Sequence, residues 1–250
     1  MIISFMCLLR LILLVFIWIT PVYGNSIYNL IKIPNLEIYE INTANRLKYF
    51  YAKSSFRLGV KKNIICENSN KKDIDDKYDL IYKNLNNYSY GFLKKINLKY
   101  IVLCENLSIS GIYTAGIPDN IMKTLILDIK FNEKYFERVL HHEVFHIIYL
   151  QYREVFNDGE WTKFNNSKFK YVECSTCTKK IGLKKYEKTK GFFTEYSMST
   201  ASEDMAEVYS HMIHLKKKEI NQIRKLDEIL NKKISYIENG IKKIDNSFKF

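Results

Sequence analysis

The sequence predicts an α+β fold, in which a small mixed β-sheet lies over helices. Short apolar runs typical of strands fall mostly in the amino-terminal half, and apolar residues spaced three and four apart dominate the carboxyl-terminal half. Only 9 glycines and 3 prolines interrupt the 250 residues, which favours long elements over a turn-rich all-β design. A chain of this length can form one sizeable domain with its own core.

The first 24 residues have the composition of an export signal. They are apolar except for Arg10, and Pro21 breaks the run. Val22 and Gly24 fit the −3 and −1 pattern of a signal-peptidase site, so we expect the mature chain to begin at Asn25. The same stretch of about 20 apolar residues could instead stay in the bilayer as an uncleaved anchor. Either way, residues 25–250 are predicted to be a single domain that is secreted, periplasmic or held at the cell surface.

The formal charge of +12 does not indicate a nucleic-acid-binding protein. Only six of the 39 basic residues are arginine, the residue that contacts phosphates and bases in a bidentate manner. Lysines are interspersed with acidic residues, which is typical of a solvated surface. We therefore expect a monomer that binds no nucleic acid and that contacts a membrane only if the amino-terminal segment stays uncleaved.

Four cysteines remain after the export signal: Cys66, Cys104, Cys174 and Cys177. An even number in an oxidising compartment predicts one or two disulfides, with three possible connectivities. Cys174 and Cys177 have the spacing of a zinc knuckle, but no second Cys or His pair lies near them. A disulfide or free thiols are therefore favoured over a structural zinc site.

In the amino-terminal half, the apolar patterns predict strands, two helices and a polar loop. The strands are expected on both sides of Pro34 within residues 27–41 and in residues 58–67, 98–109 and 122–131, the helices in residues 45–58 and 78–96, and the loop in residues 68–77.

In the carboxyl-terminal half, helical periodicity covers residues 133–152 and 200–218, separated by an irregular stretch over residues 153–192. The tail, residues 219–250, repeats isoleucine and leucine at steps of three and four. This pattern predicts an amphipathic helix packed on the body of the domain, with a coiled coil or a membrane-surface helix as alternatives.

The first of these helices carries His142-Glu143-Val144-Phe145-His146, an H-E-x-x-H motif. Residues four apart share one face of a helix, so both imidazoles can bind one zinc ion at about 2.0–2.1 Å. Glu143 is then placed to act as general base without binding the metal. The alternative is two ordinary histidines on an amphipathic helix. His141 points away from this face and is expected to pack or lie at the surface.

The second helix offers a third ligand. Glu203 would complete a His₂Glu zinc site, and Glu207, one turn on, would accept a proton from a ligand imidazole. If Glu203 does not bind, Glu207 is the next candidate, followed by His211. We otherwise expect His211 and His214 to be neighbours of the site or core residues. Asp204 either orients a neighbour or supports the amino-terminal turn of the helix.

Three motifs together resemble those of the gluzincins, the zincin metallopeptidases with a glutamate ligand. They are H-E-x-x-H at residues 142–146, G-F-x-x-x-Y at residues 191–196 and E-D-x-A-E at residues 203–207. The chain is similar in these motifs to secreted bacterial zinc metallopeptidases and to the catalytic domain of anthrax lethal factor. The resemblance extends over roughly residues 107–214 and includes the turn that contains Trp161 and Tyr171.

The resemblance implies a zincin-like fold with His142, His146 and Glu203 as zinc ligands. It also implies Glu143 as the general base and Tyr196 as a hydrogen-bond donor to the oxyanion or leaving amine, although Tyr196 could simply pack. We therefore expect an exported Zn²⁺-dependent peptidase that acts on a peptide or protein. The substrate is expected to lie along an edge strand within residues 103–116. The alternatives are a zinc hydrolase of cell-wall or other amides and a metal-binding domain without turnover.

Overall fold

An eight-stranded mixed sheet forms the first layer of the protein in the computed structural model, which describes residues 33, 35–172, 174–175, 182–185 and 188–250. The predicted export signal and its cleavage site lie outside the described residues. The strands are β1 Leu36–Glu40, β2 Lys48–Ala52, β3 Phe56–Leu58, β4 Ile64–Glu67, β5 Tyr100–Ile109, β6 Ile112–Tyr113, β7 Gly116–Asp119 and β8 Thr124–Asp128.

The long strand β5 organises the sheet because its two halves pair differently. Its first half pairs parallel with β2 and β8, and its second half pairs antiparallel with β4 and β6. Asn106 has a φ of 52° near the change between the two pairings. The Asp128 carboxylate accepts hydrogen bonds from the backbone N–H groups of Asn106 and Leu107, both at 3.1 Å. These two hydrogen bonds satisfy N–H groups of β5 that lose their partners in the neighbouring strands where the pairing changes.

The described part of the chain also contains seven α-helices. They are α1 Lys71–Leu85, α2 Tyr90–Lys95, α3 Glu133–Gln151, α4 Asp158–Thr162, α5 Ala201–His214, α6 Lys217–Leu226 and α7 Glu228–Ile244, with short 3₁₀ turns at Val60–Lys62 and Tyr196–Met198. Polar side chains cap the first five α-helices by accepting a hydrogen bond from a first-turn N–H group, namely Asn70, Ser89, Asn132, Asn157 and Thr200. Helix α3 has 11 of its 19 residues buried and packs along α5.

The structure corrects the predicted elements of the amino-terminal half. Residues 45–58 are not helical, because Leu47, Tyr49 and Tyr51 are buried at alternate positions and β2 pairs with β1 and β5. The predicted loop at residues 68–77 is also wrong, since α1 begins at Lys71. The predicted helix at residues 78–96 is divided, and Ser89 starts α2 as a separate helix.

The tail is helical, but it forms two helices where the sequence predicts one. Asp227 accepts hydrogen bonds from the N–H groups of Ile229 and Leu230 and so starts α7 directly after α6 ends. Helix α7 packs against α5 and buries Ile234, Ile237 and other residues of its apolar stripe. The tail therefore contributes to the core.

One of the predicted disulfides joins Cys66 of β4 to Cys104 of β5, and Cys174 is disulfide-bonded as well.

Residues 33–250 form one compact unit. Among the residues that the structure describes, no helix combines the length and the hydrophobicity required to cross a bilayer.

Candidate metal centre

Helices α3 and α5 bring three side chains to one point. His142 and His146 lie one turn apart on the same face of α3, and Glu203 projects from the first turn of α5. The Nε2 atoms of the two histidines are 3.1 Å apart. Glu203 Oε2 lies 2.9 Å from His142 Nε2 and 3.1 Å from His146 Nε2. We call these residues the His₂Glu cluster; it is the one potential metal-binding group of this kind in the described part of the chain.

The donor atoms of the His₂Glu cluster fit a zinc ion. Tetrahedral bonds of about 2.1 Å place neighbouring donors about 3.4 Å apart, so the distances found here differ by only a few tenths of an ångström. Two imidazole nitrogens facing each other cannot both carry a proton, and a cation resolves this conflict. Two histidines and one glutamate are also a ligand set of catalytic zinc sites, which leave one coordination position open.

Glu207 fixes the orientation of His142. Its Oε1 atom accepts a hydrogen bond from His142 Nδ1 at 2.9 Å, so in the neutral ring the proton lies on Nδ1 and Nε2 is available to a metal. The same carboxylate accepts hydrogen bonds from Arg138 at 2.5 Å and from the Thr194 hydroxyl at 2.7 Å. Burial acts to raise the pKa of Glu207, but the His142 hydrogen bond and the Arg138 charge outweigh it and lower the pKa overall. Glu207 is therefore a buried, charged acceptor.

Glu143 lies beside the cluster without belonging to it. Burial raises its pKa to about 7, against the opposing effect of His142 and His146. A carboxylate that titrates near neutral pH can both take and return a proton. Gly116 of β7 lies directly against it, since a Cβ atom at Gly116 would be 2.7 Å from Glu143 Cγ. The sheet edge and the carboxylate are thus in contact.

Tyr196 borders the same site from the 3₁₀ turn before α5. Its ring centroid is 5.9 Å from that of His142, and Tyr196 lines the same cavity as Ser175 and Glu203. Burial and the carboxylates of Glu203 and Glu143 raise the pKa of Tyr196 far above its usual value. The phenol therefore stays protonated and can donate a hydrogen bond.

The other histidines lie outside the cluster. His141 is not a surface residue: its ring contacts the Tyr88 hydroxyl at 2.7 Å, and burial lowers its pKa to about 3. His211 stacks on Phe193 with 4.2 Å between ring centroids, and burial lowers its pKa to about 4. Both are neutral core residues. His214 is exposed at the end of α5.

Asp204 is the centre of a buried hydrogen-bond network. The sequence alone left two alternatives for its role. Its Oδ2 atom accepts hydrogen bonds from Lys233 at 2.5 Å, Trp161 at 2.8 Å and Tyr171 at 2.5 Å. Lys233 is completely buried, and it also donates to the Gly191 carbonyl at 2.6 Å. A lysine within the apolar stripe of the tail was the signal that could have predicted a buried partner.

A cavity of about 560 Å³ opens over the His₂Glu cluster and is called the cleft below. Besides the cluster, Glu143, Tyr196 and Glu207, its lining residues are Ile109, Ile112, Tyr113, Thr114, Ala115, Gly116, Ile117, Pro118, Phe131, Val139, Tyr149, Leu150, Ser175, Leu183 and Ser202. A volume of this size is typical of ligand sites.

Strand β7 forms the edge of the sheet along the cleft. Of residues 103–116, where a substrate-binding edge strand is expected, residues 103–109 lie in β5 in the middle of the sheet, and Gly116 begins the edge strand β7. The Asp128 N–H group donates to the Ala115 carbonyl at 2.9 Å, and Gly116 pairs with Leu127. This register turns the backbone polar groups of Gly116 and Pro118 away from β8. Pro118 has no N–H group and suits an edge position.

Comparison with known proteins agrees with a zinc site. Residues 71–250 match the model of a family described as "Putative zinc-binding metallo-peptidase". The crystal structure of a protein from Bacteroides caccae ATCC 43185, which carries the same description, is 18% identical and has a TM-score of 0.49 over 91% of this chain and 88% of that one. No curated protein matches the chain. The resemblance to gluzincins and to anthrax lethal factor stays a prediction. Because the family model spans residues 71–250, the chain belongs to this zinc-binding metallo-peptidase family.

Proposed function

We propose that the protein is an exported zinc-dependent peptidase in which His142, His146 and Glu203 hold the zinc ion. The observation that carries this proposal is the convergence of three donor atoms within 3.1 Å of one another at the base of the cleft. Glu207 supports it, because the carboxylate fixes the His142 tautomer that a metal requires. Export is proposed from the composition of the amino-terminal segment.

Two side chains, Glu143 and Tyr196, act together with the zinc ion in hydrolysis. A zinc ion bound by the His₂Glu cluster would polarise the scissile carbonyl and lower the pKa of water. Glu143 takes a proton from the attacking water and returns it to the leaving nitrogen, which its pKa of about 7 suits. Tyr196 donates a hydrogen bond to the oxyanion through its protonated phenol.

The substrate backbone pairs with the edge strand β7. Gly116 offers an outward N–H group, and Pro118 offers a carbonyl, whereas the Gly116 carbonyl already accepts a hydrogen bond from the Thr114 hydroxyl at 3.2 Å. Main-chain hydrogen bonds of this kind bind an extended peptide with little demand on its sequence. The contact of Gly116 with Glu143 puts that backbone beside the general base.

The test combines metal analysis with peptide cleavage by the purified protein. We expect His142→Ala and Glu203→Ala to lose the zinc, and Glu143→Gln to keep it while cleavage falls by about 10²- to 10⁴-fold. His214→Ala, an exposed histidine outside the cluster, is the matched control and should change neither property. Full zinc retention in both ligand variants would contradict the proposal. Hydrolysis of peptidoglycan but not of peptides would favour a cell-wall amidase.

A further inference from the structure

We propose that residues 109–114, called the rim hairpin, recognise apolar side chains of an extended polypeptide away from the scissile bond. The inference rests on the proposed peptidase function and adds the class of substrate. Its partner is an unfolded or flexible polypeptide segment with apolar side chains on one flank of the cleaved bond.

The rim hairpin is held rigidly at the mouth of the cleft. Ser110 and Gly111 form the two-residue turn between β5 and β6, with φ angles of 52° and 82°, and Ile109 pairs with Ile112. Two successive positive φ angles fit a type I′ turn, which matches the twist of the flanking strands. Asn63 anchors the turn: its carbonyl accepts from the Ser110 N–H group at 2.8 Å, and its side-chain amide donates to the Ser110 hydroxyl at 3.2 Å.

The hairpin exposes large apolar side chains toward the cleft. Ile112 is 43% exposed and Tyr113 is 71% exposed, and both line the cavity that contains the His₂Glu cluster. Single exposed apolar residues elsewhere, such as Val60 and Ile121, line no part of this cavity. Apolar side chains exposed in continuity with a binding cleft indicate a surface that becomes buried when the ligand binds.

The charge of the cleft points to the same class of substrate. Among the residues that the structure describes, no lysine or arginine lines the cleft, and the acidic lining residues are Glu143, Glu203 and Glu207 at its centre. A charged substrate side chain at the rim would lose water without finding a partner, whereas an apolar one would gain from burial. The rim therefore selects apolar side chains.

The distance along the chain sets where on the substrate this selection acts. Gly116 lies against Glu143, and Ile112 precedes it by four residues. Four residues of extended chain span at most about 13 Å. Ile112 and Tyr113 would therefore meet substrate residues up to about four positions from the cleaved bond, which a peptide truncated close to that bond lacks.

The test uses the double variant Ile112→Ser/Tyr113→Ser with three synthetic peptides. Their scissile bond is first identified by sequencing the fragments of carboxymethylated casein digested by the wild-type protein. One long peptide carries leucine and phenylalanine on both flanks, a second long peptide carries serine there, and a third peptide is truncated close to the bond. For the apolar long peptide, we expect kcat/KM to fall about tenfold or more, through KM. The values for the other two peptides and the zinc content should stay unchanged.

Matched variants separate recognition from a general loss of apolar surface. Val60→Ser and Ile121→Ser remove exposed apolar side chains outside the cleft and should leave all kinetics unchanged, and Tyr113→Phe should retain the preference. If the wild-type protein is active and the double variant has unchanged kinetics, the inference about the rim hairpin is overturned, but the proposed peptidase function is not. Equal losses on all three peptides would overturn it as well. If the double variant has unchanged kinetics but no longer binds phosphatidylglycerol vesicles, the inference is also overturned, because the rim hairpin then contacts a membrane. A wild-type protein that cleaves nothing would overturn the proposed function itself.

Discussion

Gly116 determines how closely the sheet edge approaches Glu143. A Cβ atom there would lie 2.7 Å from Glu143 Cγ and 3.2 Å from the Ile126 carbonyl, so it meets both the side chain and the neighbouring strand. The backbone of β8 cannot yield without breaking its pairing with β7 and β5. The side chain of Glu143 would therefore have to move.

We predict that Gly116→Ala lowers kcat without loss of zinc. If Glu143 acts as the proposed general base, its displacement by about 1 Å is enough to cost on the order of 100-fold in rate. Steady-state kinetics and metal analysis measure the two quantities. Gly91→Ala is the control, because the Cβ atom there meets only the Ser89 hydroxyl, at 3.9 Å. A Gly116→Ala variant with wild-type kcat would show that the contact does not hold Glu143.

The buried charge of Glu207 makes stability depend on pH. The folded protein lowers the pKa of Glu207 below its ordinary value of 4.5, despite the opposing effect of burial. The unfolded state then binds the proton more readily, so stability is present above pH 4.5 and is lost as pH falls further. In metal-free protein, Glu207→Gln should unfold more easily at pH 7, and its difference from wild type should shrink toward pH 3. Urea unfolding at several pH values measures this, and a constant difference would argue against it.

At the scale of elements, Lys233 ties helix α7 to helix α5. Its ammonium group and the Asp204 carboxylate are both fully buried and 2.5 Å apart. Burial lowers the pKa of Lys233 and raises the pKa of Asp204, so each charge depends on the other. Asp204 follows Glu203 directly, and this pair therefore anchors the turn of α5 that carries the third residue of the cluster.

We predict that Lys233→Met lowers the free energy of unfolding by about 3–5 kcal/mol, because it leaves the Asp204 charge buried without its partner. The double variant Asp204→Asn/Lys233→Met should recover part of this loss. Chemical denaturation measures both variants. Lys232→Met is the matched control, since its side chain is 54% exposed and its ion pair with Glu228 contributes at most about 1 kcal/mol. Equal effects of the two lysine substitutions would contradict the role of the buried pair.

At the scale of the whole molecule, the disulfide between Cys66 and Cys104 closes a loop over a sequence separation of 38 residues. The loop contains α1 and α2 and joins the antiparallel part of the sheet to β5. In the chain-entropy account, a cross-link of this span restricts the unfolded state by about 4 kcal/mol at 25 °C. The oxidised protein is therefore expected to be the stable form.

Replacing both cysteines by alanine should lower the free energy of unfolding by about 2–4 kcal/mol without moving the His₂Glu cluster. Urea unfolding without reductant measures the change, and zinc content reports on the cluster. The single variants Cys66→Ala and Cys104→Ala should lose as much as the double variant, since each already breaks the bond. A double variant as stable as the wild type would show that the disulfide does not stabilise the fold.

Local sequence patterns predicted the elements that depend on local geometry. The predicted helix at residues 133–152 agrees with α3 because apolar residues recur at helical spacing, and the same spacing brings His142 and His146 to one face. Strands β5 and β8 were predicted for a similar reason: continuous apolar runs are typical of buried strands. The helix predicted at residues 45–58 was wrong because β2 depends on pairing with β1 and β5. Local periodicity carries no information about such pairing.

By itself, the sequence determined the H-E-x-x-H helix, the apolar strands and a short set of acidic candidates for the third ligand. Only the tertiary structure decided that Glu203 lies against both imidazoles while Glu207 contacts the far side of His142. It also decided that Lys233 meets Asp204 across 29 residues and that β7 forms the sheet edge along the cleft, while β5 lies in the middle of the sheet. The physical reason is that periodicity fixes which face of each element is apolar. Which faces meet, and in what register, follows from packing the whole core at once.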